Sequence, residues 1–427
     1  MTIAIFLGSL LGAMAIGMPI AFSLIICGIA LMLQLDLFDS QLVAQKFIDG
    51  ADNYPLLAVP FFMLAGEFMN AGGLSKRIVA LAISLVGHIR GGLGYVAIIG
   101  AVIMASMSGS ALADTAALSA ILIPMMNKGG YETRRSAGLI AAGGVIAPVL
   151  PPSMGFIIFG VISGVSITKL FFAGIVPGLL MATALFGTWA VMARNHTAPP
   201  APRASLKQIG RAAFDGAWAL VMPVIIVGGL KRGIFTPTEA SVVAAVYALL
   251  VGLFVYRELK FRQLYSLFLR AGVTTSVVMF LAAAAMVSSS LITVADIPGD
   301  VVRLLEPFIN SPTMLMFMMM VVVVAVGTAM DILPTILILT PVLMPLVNAA
   351  HIDPVYFGVL FIMNNAIGLI TPPVGTVLNV ACGVAKISMD DIMKGIWPFL
   401  LAELAVLFLL VLFPILVTGP ARFIHGQ

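Results

Sequence analysis

Apolar runs of membrane-crossing length recur along this chain, and no other feature constrains its fold as much. A span needs roughly 20 apolar residues, so the length leaves room for about a dozen crossings or re-entrant segments. Hydrophobic residues make up 61% of the 427 positions and charged residues 9%, with a mean hydropathy of +1.15. A soluble domain carries about 25% charged residues. Backbone inside a bilayer must satisfy its own hydrogen bonds, so the fold class is an all-α polytopic membrane protein. The net charge of +4 is small and its basic residues fall in short connections. That pattern reads as a topology signal and not as nucleic-acid binding. Cys27 and Cys382 stand far apart within apolar runs, and His88, His196, His351 and His425 show no ligand spacing. Neither a disulfide framework nor a metal centre built on these side chains is expected.

Two of the apolar runs are broken in a similar way. The first break is Ser108-Gly109-Ser110-Ala111-Leu112-Ala113-Asp114, and the second is Gly327-Thr328-Ala329-Met330-Asp331. Each puts small or hydroxyl residues and a carboxylate inside apolar sequence, and each is followed by a proline pair, Pro151-Pro152 or Pro372-Pro373. Open backbone and a carboxylate persist at membrane depth only where protein or a water-filled cavity surrounds them. Matched breaks point to a binding site between two structural repeats, as in a secondary transporter.

Spacing supports the duplication. From the first proline of the pair to Gly-Ile is 23 residues in both halves, Pro151 to Gly174-Ile175 and Pro372 to Gly395-Ile396, and Pro177 matches Pro398. A one-residue slip pairs Asp114 with Asp331 and Pro124 with Pro341. The relative orientation of the copies stays open, because it turns on an odd or even number of crossings between them.

In order, residues 1–90 read as scaffold helices, with 2–35 a single retained span and 76–88 amphipathic. Residues 91–193 form the first repeat, with a small-residue helix over 136–150. Residues 194–310 hold a basic, proline-containing linker (194–215) and further scaffold helices, with a polar link over 297–310. Residues 311–427 form the second repeat and a C-terminal helix. The basic loops are expected on the cytoplasmic side. Thr236-Pro237-Thr238-Glu239 has capping-box spacing, which gives Glu239 a structural role, and Ser388 with Asp391 marks another helix start. Glu67 and Glu403, in apolar runs, are expected to meet a partner helix. The methionines from Met314 to Met320 are expected to pack or face lipid.

An unwound helix offers carbonyls, N–H groups and hydroxyls without helical partners. Oxygens suit a hard cation such as Na⁺, and half-helix N-termini suit an anionic substrate group. Ser108, Gly109 and Ser110 fit such a site, as do Gly327 and Thr328, with Asp114 and Asp331 balancing charge. Gly143, Gly144, Pro151, Pro152 and Ser153 would face the first break. Thr371, Pro372, Gly375, Thr376 and Asn379 would face the second. Glycine and serine also serve simple helix packing, but packing needs neither the carboxylates nor the matched spacing.

The motifs in combination resemble a family. Ser-Gly-Ser-Ala-Leu-Ala-Asp at 108–114, Gly-Leu-Ile-Ala-Ala-Gly-Gly-Val-Ile-Ala-Pro at 138–148, Pro151-Pro152-Ser153, and Leu-Ile-Thr-Pro-Pro-Val-Gly at 369–375 look like the large membrane subunit of TRAP transporters, the DctM-type permease. The resemblance begins at Pro-Phe-Phe-Met-Leu-Ala-Gly-Glu, residues 60–67, and extends to the Pro398 region. It implies two inverted repeats with re-entrant hairpins and broken helices, and an elevator-type transport domain moving against a scaffold. It implies Na⁺-coupled uptake of an organic acid across the bacterial inner membrane. A small four-helix membrane subunit, expected as a separate chain, and a periplasmic substrate-binding protein would be the partners. Sodium sites carried over by motif fall at Ser108, Ser110, Asp114, Gly144 and Ser153, and at Gly327, Asp331, Thr335, Thr371 and Gly375. Substrate contacts fall at Ser108, Gly109, Ser110, Pro151, Pro152, Thr328, Pro372, Pro373, Thr376 and Asn379. The alternative is a self-sufficient proton- or sodium-coupled anion carrier. An enzyme is disfavoured, since no nucleophile–base pair or His-Glu-x-x-His pattern is present, and a channel would not need the duplicated breaks.

Overall fold

The computed structural model describes residues 2–194, 202–309, 311–372 and 374–425. Among these residues every regular element is helical. The chain opens with α1 (Thr2–Ala15) and α2 (Ile20–Gln34), which corrects the single span expected over 2–35. Gly17 at φ +83° reverses the chain, and Pro19 directly precedes α2. Glycine tolerates that φ without a steric penalty, and proline, which has no N–H to donate, favours a helix start over its interior. The Gln34 amide donates to Thr2 Oγ1 at 3.3 Å, so both ends of this hairpin lie side by side.

Helix α3 (Ser40–Ala51) is followed by a 3₁₀ turn (Tyr54–Leu57), α4 (Ala58–Ala71) and α5 (Leu74–Val86). The last two meet at a 63° bend. The first repeat comprises α6 (Gly92–Ser108), α7 (Ala111–Lys128), α8 (Thr133–Gly144), α9 (Met154–Ser163) and α10 (Ile167–Ala193). Next come α11 (Leu206–Lys231), α12 (Pro237–Leu250) with a π-helical extension to Val255, α13 (Phe261–Val294) and α14 (Ile297–Ile309). The second repeat comprises α15 (Pro312–Gly327), α16 (Ile332–Ala349), α17 (Pro354–Gly368), α18 (Thr376–Ala385) and α19 (Met389–Leu412), with α20 (Ile415–His425) closing the chain. Six helices among the described residues are long and apolar enough to cross a membrane alone, as a multi-pass membrane protein requires.

Several boundaries differ from the sequence expectation. Helix α8 stops at Gly144 and not at Leu150, because the chain turns from Val145 toward the prolines. The linker is shorter, since Ser205 and Gln208 form a capping box that starts α11. The polar link at 297–310 is mostly the helix α14, and Arg262 and Arg270 lie within α13. The Thr236–Glu239 capping box is present, and Ser388 Oγ accepts from Asp391 N at 3.2 Å. Met316, Met319 and Met320 are buried while Met314 is exposed.

Helix starts give a simple register for the repeats. Adding 221 carries the start of α7 at 111 to α16 at 332, and α8 at 133 to α17 at 354. The same step carries Pro151 to Pro372 and Gly174 to Gly395. It also corrects the one-residue slip. Asp331 is the counterpart of Ser110, Asp114 of Thr335, and Pro124 of Pro345, not Pro341. The first break occupies two residues, 109–110, and the second four, 328–331.

The repeats exchange partners. Helix α7 packs on α18 while α16 packs on α9, and α8 packs on α19 while α10 packs on α17. Contacts at the ends decide their orientation. At one end Trp189 Nε1 donates to Gly91 O at 2.9 Å, and its ring stacks on Tyr131. The base of the α6–α7 hairpin therefore sits there, beside the end of α10. A 27-residue helix is about 40 Å long, so Leu170 lies near the opposite end. There a Cβ on Gly358, near the start of α17, would meet Leu170 at 2.8 Å. Tyr356 also donates to Leu410 O at 3.0 Å there. The base of the α15–α16 hairpin is thus at the Tyr356 end, and the two repeats are inverted. Their tips approach each other from opposite ends.

Candidate functional site

The first break folds around its serines. Gly109 takes φ +63°, and Ser110 is the N-cap of α7, accepting from Ala113 N at 3.4 Å. Ser108 Oγ donates to Asp114 Oδ1 at 2.5 Å and accepts from Ser110 N at 3.2 Å. Asp114 is fully buried in the first turn of α7. The proline loop closes on this turn, and a Cβ on Gly109 would collide with the Pro152 carbonyl. A Cβ on Gly144 would overlap Thr115 Oγ1. Ser153 caps α9, accepting from Phe156 N at 3.2 Å and donating to Pro148 O. The Pro151–Pro152 peptide is cis. Ser108, Gly109, Ser110, Asp114, Gly144, Pro152 and Ser153 therefore converge, with Pro151 in the same loop. Asp114 Oδ2, Thr115 Oγ1 and Ser119 Oγ are buried with no hydrogen-bond partner among the described residues. Such oxygens fit a hard cation.

The second break is built differently. Asp331 is the N-cap of α16, accepting from Ile332 N at 2.9 Å, and Thr335 Oγ1 donates to Asp331 O at 2.9 Å. Thr328 turns onto Ala325 O at 2.8 Å. Gly327 lies against Gly368, where an added Cβ would meet Gly368 Cα at 3.3 Å. Thr371 Oγ1 donates to Ile367 O at 2.8 Å, Gly375 caps α18 at φ +45°, and Asn379 Nδ2 donates to Val374 O at 3.1 Å. Pro372 and Thr376 belong to this turn, and Pro373 lies outside the described residues. The buried Asn364 and Asn365 were not anticipated. Their Oδ1 atoms have no partner among the described residues. Two adjacent amides in an apolar helix were the available signal, and Asn365 is the counterpart of Gly144.

Both breaks open on one cavity of about 280 Å³. Gly109, Ser110 and the first turn of α7 form one wall, Asp331, Ile332 and Leu333 a second, and Pro148, Met154 and Gly155 a third. Three helix N-termini, those of α7, α9 and α16, thus meet there. Val59 and Met63 of α4 and Thr274 and Val278 of α13 form a fourth wall, and none of these four was anticipated. Ser108 lies behind the wall. Pro151, Pro152, Thr328, Pro372, Thr376 and Asn379 do not line this cavity. Asp331 also borders a second space of about 680 Å³ against Pro19–Phe22 and the middle of α13. Glu67 pairs with Arg270 of α13 at 3.1 Å. Glu403 is fully buried and has no partner among the described residues.

Comparison with known proteins agrees with this architecture. Residues 7–416 match the family described as tripartite ATP-independent periplasmic transporter, DctM component. The chain is 55% identical over 425 residues, 100% of both chains, to the 2,3-diketo-L-gulonate TRAP transporter large permease protein YiaN of Escherichia coli K12. It is 36% identical to the sialic acid TRAP transporter large permease protein SiaM of Vibrio cholerae, covering 95% of each. The YdaH transporter of Alcanivorax borkumensis shares the fold, with a TM-score of 0.62 at 14% identity over 88% of this chain and 89% of that one. The chain belongs to the DctM component family of the tripartite ATP-independent periplasmic transporters.

Proposed function

We propose that this chain is the carrier subunit of a binding-protein-dependent uptake system that moves an organic acid with Na⁺ across the bacterial inner membrane. The cavity carries the reading, because both breaks reach it from opposite ends and three helix N-termini line it. Helix N-termini favour a carboxylate. Asp114, Thr115 and Ser119 supply oxygens for one Na⁺, supported by Ser108, Ser110, Gly144 and Ser153. Asp331, Thr335, Gly327, Thr371 and Gly375, with the free Oδ1 of Asn365, supply the other. A cavity of about 280 Å³ sits near the lower end of small-molecule sites. With the whole-length similarity to a diketo-gulonate permease, it favours a six-carbon sugar acid.

The interlocked repeats, 91–193 and 311–412, are the moving body of an elevator. Helices α4 and α13 belong to the fixed scaffold (1–90 and 194–310) and complete the cavity wall. Arg90, Lys128, Arg134, Arg135 and Arg194 flank helix termini at the Trp189 end, so that end faces the cytoplasm. Lys231 and Arg232 run against this bias at the other end. Exposed apolar side chains such as Leu11, Val224 and Val246 face lipid or the small membrane subunit, and a periplasmic binding protein delivers the substrate.

The test is uptake of radiolabelled 2,3-diketo-L-gulonate into proteoliposomes holding this chain and its small subunit, with binding protein outside. Uptake should need both the binding protein and an inward Na⁺ gradient. Equal uptake without Na⁺ removes the coupling ion, and uptake by this chain alone supports the self-sufficient carrier instead.

A further inference from the structure

Among the described residues no cationic side chain lines the cavity. Of the described lining residues only Ser110, Thr274 and Asp331 carry polar side chains. Helix α13 runs past the cavity at Thr274 and Val278 and ends at Val294. The chain then enters α14, which packs on α16 and leads into Pro312, beside Tyr356. The segment of α13 before Thr274 therefore lies on the Trp189, cytoplasmic side. Thr274 Oγ1 donates to Arg270 O at 3.0 Å, so Arg270 sits on the same stripe of α13, one turn out from the cavity wall. On α4 the same step leads from Met63, a lining residue, to Glu67. Arg270 Nε and Glu67 Oε2 meet at 3.1 Å, with side chains 59% and 36% exposed.

We propose that Arg270 receives the substrate carboxylate as it leaves the cavity toward the cytoplasm, taking it in exchange for Glu67. This rests on the functional reading above. A guanidinium within a span marks an ion or substrate path more often than a packing contact, and it matches a carboxylate with two parallel hydrogen bonds. The pair is open on one side, with neither side chain fully buried, so an arriving anion reaches Arg270 without unpacking the two helices. Helices α4 and α13 are held together beside the pair by the edge-to-face rings of Phe68 and Phe268, 5.6 Å apart. Because Arg270 belongs to the scaffold, it meets substrate only when the moving repeats bring the cavity to the inner side.

The experiment uses proteoliposomes with both membrane subunits, binding protein outside and radiolabelled 2,3-diketo-L-gulonate as probe. It reads the half-saturating internal concentration in exchange and the half-saturating binding-protein concentration in net uptake. Arg270→Gln should raise the internal value about tenfold and leave the external one unchanged, while Arg270→Lys raises the internal value about threefold. The lysine variant keeps the charge should the glutamine variant fold poorly. An unchanged internal value in either variant overturns the proposal. So does recovery of the wild-type value by the reversed pair, Glu67→Arg with Arg270→Glu, because a simple clamp survives reversal. Absence of uptake in the wild-type system instead overturns the functional reading, and this proposal with it.

Discussion

The two breaks use the same pair of chemical groups in opposite places. In the first a serine caps the helix and a carboxylate sits in the first turn, fully buried and bonded to Ser108 at 2.5 Å. In the second the carboxylate is itself the cap, and a threonine occupies the first-turn position, donating to Asp331 O at 2.9 Å. The two extra residues of the second break accompany this exchange. A carboxylate at a cap reaches the cavity and binds its own helix N-terminus. On the proposed reading, the one buried in a first turn, with an oxygen left unpartnered, serves the cation. The duplicated unit thus holds one enclosed carboxylate and one that opens on the cavity.

The comparison is broken most directly at the carboxylates. Asp114→Ala should lower Na⁺-driven uptake by about 100-fold or more, since removing a buried charge from its partner costs about 3–5 kcal/mol. Asp331→Ala should lower it by about tenfold, because that group is only partly buried and its cap contributes about 1 kcal/mol. Initial rates at several Na⁺ concentrations check both, and equal losses would erase the distinction.

A smaller effect is expected at the next matched pair. Gly144→Ala pushes a methyl into Thr115 Oγ1, and overpacking of about 1–3 kcal/mol should raise half-saturating Na⁺ about tenfold. Asn365→Gly, the reciprocal change, should raise it less. Na⁺ titration of transport separates them.

Asp331→Ser gives the second break the first one's cap. It should retain thermal stability and lose about threefold in uptake, since serine caps nearly as well as aspartate. A melting temperature lowered by several degrees would mean the carboxylate does more than cap. The smallest effect belongs to the ends. Trp189→Phe removes the bond to Gly91 O, 2.9 Å long, and should cost about 1 kcal/mol, read as a small drop in melting temperature with transport intact.

Much of this molecule was legible from residue order. Composition and run length specify a helical membrane protein, because a bilayer leaves few ways to satisfy backbone hydrogen bonds. The breaks at Ser108-Gly109-Ser110 and before Asp331 stand out because glycine, hydroxyls and a carboxylate are costly in hydrocarbon, and both border the cavity. Local rules also found the caps at Thr236 and Ser388, which depend on near neighbours.

Other features depended on contacts distant in sequence. The pairing of Asp114 with Asp331 looked sound by spacing, yet helix starts moved the equivalence to Ser110, since counting from Gly109 and Gly327 cannot see that α15 ends two residues earlier in register than α6. Residues 2–35 looked like one span because hydropathy does not register a reversal at Gly17. The inversion of the repeats came only from Trp189 meeting Gly91 and Gly358 meeting Leu170. The scaffold wall of Val59, Met63, Thr274 and Val278 has ordinary residues at ordinary spacing, and only packing makes it part of a site. The sequence alone therefore determined the fold class, the duplication and the places where the helices break, all consequences of bilayer solvation and local chain chemistry. Tertiary structure alone decided which break faces which, what encloses the cavity between them, and how each carboxylate is held.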